Sequence, residues 1–241
     1  VTDIIMETVF QFNSSKTTKT RETLITEVRE SISSYNNNTL NDFNKMFRYS
    51  ELSSNIDSTN EAILNSGSKI YLSKKITPQL ERSQSHDLYY NNPFFHPHTG
   101  HAGEIGGVVA STGFKVKGDA TNVQFFDDDG KGILRRFYLV GTTRTYTDLT
   151  AGTVDYINGH IKVNNLTLTN IENVDGLSST SIRFVIVPES KDIKAVRNQI
   201  LNIDLVNSTV TGKVDTIEVG QPGAATTFAT TPTMPNTSQS F

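Results

Sequence analysis

The chain has 241 residues, 22 Lys and Arg against 25 Asp and Glu, a net charge of −3 and no cysteine. This excludes disulfides and thiolate metal centres, and it leaves no basic excess of the kind that nucleic-acid binding demands. No apolar run approaches the ~18 residues of a membrane-spanning helix, and no signal peptide opens the chain at Val1.

Hydrophobic residues make up only 35%. With Ser, Thr and Asn abundant, that suits a turn-rich β protein completing its burial against partners, or a partly disordered chain. Val1 stands where an initiator methionine would. That marks a processed chain or a fragment, and the strand-like first residues favour a fragment.

Ile4, Met6, Thr8, Phe10 and Phe12 alternate with Ile5, Glu7, Val9 and Gln11, which predicts an opening strand. Leu24, Ile25, Val28, Ile32 and Tyr35 then recur at helical spacing, with Thr20 placed to cap the helix and Asn36-Asn37-Asn38 to stop it. Leu40, Phe43, Met46 and Phe47 form a short apolar stretch. Ser50 is placed to cap a second helix carrying Leu52 and Ile56. Ile63 and Leu64 begin an extended segment in which Ile70, Leu72 and Lys74 alternate with Tyr71 and Ser73 up to Pro78, which predicts a strand. Strand, helix, helix and strand imply a split βαβ-type layer with its helices on one face.

From Leu80 the helical period disappears. Strands are predicted at Leu88–Tyr90, Val108–Val116, Val123–Phe126, Ile133–Val140, Thr153–Ile157, His160–Leu168, Ile182–Val187, Ile200–Val206 and Val214–Val219. Asp129-Gly130 and Asn158-Gly159 are hairpin signals, because their turn residues take positive φ. A short helix is predicted from Asp192 through Val196, and Gln221 to Phe241 reads as an extended arm or a disordered tail.

The fold class expected is therefore α+β: a strand-helix-helix-strand layer over 1–80, an antiparallel β-rich domain with one short helix over 81–219, and an extended tail over 220–241.

Candidate chemistry is thin. His96, His98 and His101 could chelate a metal, but no further ligand is placed beside them, so a solvated loop is favoured. Asp127-Asp128-Asp129-Gly130 lacks the alternate acids of a calcium loop, and Tyr138 sits where its twelfth-position Glu belongs, so a turn is favoured. Gly130-Lys131-Gly132 is no phosphate loop. Glu7, Glu104 and Asp155 form no pair better than chance. Arg135 and Arg136 are strand neighbours facing opposite ways. Tyr89, Tyr90, Phe94 and Phe95 read either as core or as anchors at a subunit contact. No catalytic, cofactor or metal residue is expected.

One run carries a resemblance. Leu40-Asn41-Asp42-Phe43-Asn44-Lys45-Met46-Phe47-Arg48-Tyr49-Ser50-Glu51-Leu52, then Ile56-Asp57 and Ala62-Ile63-Leu64-Asn65-Ser66, resembles the baseplate J-like segment of phage wedge proteins. Asp128 to Gly132, Gly152 to Gly159, Pro188 to Ile193 and Arg197 to Ile200 continue that likeness over roughly residues 3 to 206. The family is the gene-six product of T4-like phages. The resemblance implies a non-enzymatic structural subunit of the tail baseplate, paired with copies of itself in a ring around the hub. It also implies contacts to other wedge proteins, and neither nucleic acid nor membrane as partner. A tail-fibre adhesion or receptor-binding module is the alternative, and it would show repeats that this chain lacks. A tail glycosidase or peptidase would need a cleft with converging acids or a metal shell.

Overall fold

The computed structural model describes residues 1–96, 107–173, 179–196 and 199–215. The chain forms two compact units. Of the described residues, the first comprises those within 1–71 and 191–215 and the second those within 72–190.

The first unit opens with β1 (Thr2–Phe12) and α1 (Arg21–Tyr35). Leu24, Val28, Ile32 and Tyr35 are the buried residues of α1, one stripe at the expected spacing. Thr20 caps it by accepting from the Thr23 N–H. The Asn run does not simply stop it. The hydrogen bonding widens into a π turn over Asn36–Leu40, while the Asn36 side chain donates to Asn202 and accepts from the Ile203 N–H. β2 (Met46–Phe47) and α2 (Tyr49–Asp57) follow. The cap of α2 is not Ser50, which lies inside the helix. The Asp192 carboxylate accepts from the Tyr49 N–H at 2.9 Å, and Arg48 pairs with its other oxygen at 3.0 Å.

β3 (Ile63–Ile76) belongs to the first unit up to Tyr71 and to the second from Leu72. Late in the sequence come β12 (Ile193–Lys194), β13 (Leu201–Ile203) and β14 (Thr209–Val214). β12 pairs β2, while β13 and β14 pair in parallel along successive stretches of β1. The short helix expected from Asp192 is thus a strand, because Ile193 is buried and registers opposite Phe47. On α1, Arg29 donates to the carbonyls of Leu205 and Ser208 and ties the helix to the β13–β14 connection.

The second unit holds β4 (Ser83–Tyr89), β5 (Val109–Ser111), β6 (Phe114–Val116), β7 (Asp119–Asp128), β8 (Ile133–Val140), β9 (Thr143–Asp155), β10 (His160–Ile171) and β11 (Ile182–Ile186). β7, β6, β10, β9 and β8 pair in that order, and β8 returns to β7, closing a five-stranded barrel. All five pairings are antiparallel. Long strands serve different neighbours along their length: β10 pairs β9 over His160–Val163 and β6 over Leu168–Ile171, with shifted register along it. Buried Phe114 and Phe126 from β6 and β7 pack with ring centroids 4.8 Å apart, and Phe184 from β11 stacks on Phe126 at 5.3 Å.

The α+β expectation is therefore overturned. The described residues are mainly β, with this barrel in the second unit, and α1 is the one long helix among them. The N-terminal strands are completed by β13 and β14 from the far end of the sequence, which no local period announces. The Asn158-Gly159 signal does mark a reversal, but only Gly159 takes positive φ there. The turn is held instead by Asp155, which accepts from the N–H groups of Ile157 and Asn158.

Candidate assembly surface

The acidic turn is a structural device. Asp127 is buried and registers opposite Arg135 across the β7–β8 hairpin. Arg135 reaches its two carboxylate oxygens at 3.0 and 3.1 Å, Arg144 reaches it at 2.6 Å, and the Tyr146 hydroxyl donates to it at 2.9 Å. The guanidinium of Arg135 lies over the Tyr146 ring and that of Arg144 over the Phe137 ring. Asp128 is fully buried, accepting from the Val109 N–H at 2.8 Å and from the Tyr156 hydroxyl at 2.5 Å. Burial pushes its carboxyl above the usual range, partly offset by those two bonds. Burial raises the Tyr156 phenol as well. Asp129 accepts from the Lys131 and Ile133 N–H groups and shapes the turn itself. Both oxygens of Asp127, both of Asp128 and Oδ1 of Asp129 are thus engaged inside the second unit. Only the hairpin register could have revealed this, by setting Arg135 opposite Asp127.

The two strand-neighbour arginines do part, Arg136 turning to Thr147 and Asp148. Glu7 pairs with Lys69 at 3.6 Å in the first unit. Asp155 is held well below the usual range by Asn158, and its carboxylate serves its own turn. Glu104, His98 and His101 lie outside the described residues. His96 packs against the Tyr156 ring. Among the described residues no cluster of three or more acids and histidines is placed to hold a metal ion, and no helix is long and apolar enough to cross a membrane.

The aromatic stretch divides. Tyr90 and Phe94 are core residues in T-shaped contact, and the Tyr90 hydroxyl donates to the Phe184 carbonyl. Phe95 is half-buried. Tyr89 is 53% exposed and stacks on His160, whose ring nitrogen meets Asp87 at 2.8 Å. Ile157 stands nearby in sequence at the β9–β10 turn, 81% exposed. Val140 and Leu149 are exposed on the β8–β9 hairpin. The first unit exposes Phe43 and Val206, and carries an open polar groove edged by Lys19, Glu27, Glu30 and Asn55.

The second unit is thus a closed β barrel that carries apolar side chains on its turns and hairpins. Residues 4–75 match the family model described as baseplate structural protein gp6, C-terminal domain III. The gene-six resemblance read from the sequence holds over that span; the motifs from Asp128 onward lie beyond it. No curated protein matches the chain.

Proposed function

We propose that this chain is a structural subunit of a contractile-tail baseplate wedge. It works by contact alone, against other wedge proteins and against copies of itself in a ring around the tail hub. It catalyses no reaction and takes neither nucleic acid nor membrane as partner. It resides in the virion baseplate after assembly in the host cytoplasm. The match of residues 4–75 to a baseplate structural domain carries this reading. Exposed Tyr89, Ile157, Val140 and Leu149 support it, since aromatic and apolar side chains on protruding elements are what subunit contacts bury.

The test is localisation. Tails purified from phage carrying this chain with an electron-dense C-terminal tag are expected to show the label at the baseplate in each particle. Label on fibres would establish the adhesion alternative instead, and label along the tube or absent from tails would end the assembly reading.

A further inference from the structure

In the second unit, β11 pairs β3 antiparallel with Arg183 directly opposite Lys75. Residues so placed point to the same face, with Cβ atoms about 5 Å apart, and like charges there repel. The Arg183 backbone is fixed by Thr112: its N–H bonds to the Thr112 hydroxyl and its carbonyl accepts from the Thr112 N–H. Its side chain has no such anchor. The Nε and Nη1 atoms are covered and without a hydrogen-bond partner, and no ion pair reaches the guanidinium among the described residues. Glu172, bonded through its own N–H to the carbonyl of Gly113 beside Thr112, lies 3.8 Å from Lys115, and its Oε1 is itself covered without a hydrogen bond. Arg183 as a whole is half-buried. Lys75 is exposed beside it.

Two rules of a stable sheet are broken at one place: like charges stand opposite each other, and donors are desolvated without acceptors. Three other arginines of this unit do find carboxylates, Arg135 and Arg144 on Asp127 and Arg136 on Asp148. A local violation without internal compensation is what a binding site looks like before its ligand arrives. An anion held between the two cations would remove the repulsion, and a carboxylate suits the planar guanidinium best.

We propose that Arg183 and Lys75 form a receptor for a carboxylate presented by a neighbouring protein chain. This rests on the assembly reading above, and the test separates the two. Succinate is titrated into the full chain at fixed ionic strength while the Arg183 Nε–Hε resonance is followed, with Arg183→Gln to assign it and chloride as control. A saturable shift is expected with succinate and not with chloride, weakened about five-fold in Lys75→Gln, the scale of one partly exposed charge contact. Arg183→Gln is expected to leave the melting temperature unchanged or raised, which a purely structural arginine would not do. An Arg183 resonance that responds to succinate no more than to chloride overturns the receptor.

In the second arm, tails lacking the chain are supplied with wild type or with the Lys75→Gln/Arg183→Gln double variant. Incorporation is expected to fall at least ten-fold in the double variant. Equal incorporation, with succinate still bound, assigns the site to free carboxylates and overturns its role between chains. Failure of the wild type itself to incorporate ends the assembly reading and the neighbouring-chain ligand together, while the titration still decides whether a carboxylate binds.

Discussion

Asp127→Asn is the sharpest probe of the barrel. The substitution keeps the side chain's volume and one acceptor oxygen but removes the charge that two arginines share. Removing one partner of a buried pair costs about 3–5 kcal/mol, mostly because the other charge stays buried alone. The cost here is lower. Side-chain exposures of 19% for Arg135 and 33% for Arg144 leave water some access. Arg135 also keeps its 2.9 Å bond to the Asp128 carbonyl, and both guanidinium groups keep their aromatic rings. The expected loss is about 2–3 kcal/mol, or roughly 10 °C in the melting temperature of a unit this size. Removing one orphaned cation in Asp127→Asn/Arg144→Gln is expected to recover about 1 kcal/mol. Urea unfolding followed by far-ultraviolet circular dichroism measures both. A single variant within about 0.5 kcal/mol of wild type, the range of an ordinary surface change, would refute the claim that this cluster holds the hairpin in place.

Asp128 carries a pH signature of its own. Its folded carboxyl is raised above the unfolded value, so its contribution is fully present below that unfolded value and is lost as pH rises through the raised one. Wild type is therefore expected to gain stability relative to Asp128→Asn as pH falls from 7 toward 4, and a gap that stays flat across that range would contradict the burial argument. Gly152→Ala is expected to cost about 3 kcal/mol or to block folding of the barrel, because its Cβ would sit 1.9 Å from the Lys162 carbonyl oxygen, backbone that cannot yield; a melting temperature equal to wild type would rule that out. Asp192→Ala removes the acceptor at the start of α2 and is expected to cost about 1 kcal/mol at neutral pH. The Asp192 carboxyl is held low, chiefly by the Tyr49 N–H, so the difference is present above its unfolded value and fades as pH falls through the lowered one. EDTA is expected to leave the melting temperature unchanged, and a large drop would restore the histidine-metal idea for His96 and its neighbours.

Local chemistry determined what a few residues can decide among themselves. The stripe of Leu24, Val28, Ile32 and Tyr35 with the Thr20 cap made α1. Alternation made β1 and β3, and Asp129-Gly130 made the β7–β8 turn, with Gly130 at positive φ. The first half of β9, Thr143 to Thr150, escaped because its residues are mostly polar on both faces, so no apolar alternation marks them as strand. The likeness to a baseplate family was legible in the run from Leu40 to Ser66.

Tertiary structure alone decided the rest, because it depends on which distant segments meet. Nothing near β1 announces that β13 and β14 will lie beside it from about 200 residues away. Nothing near Ile193 says it will register with Phe47 as a strand in place of a helix turn. Barrel closure, the capture of Asp127 by Arg135 and Arg144, and the meeting of Lys75 with Arg183 are likewise consequences of long-range register. Periodicity tells a segment which face to bury; only the closed backbone hydrogen-bond network tells it against whom.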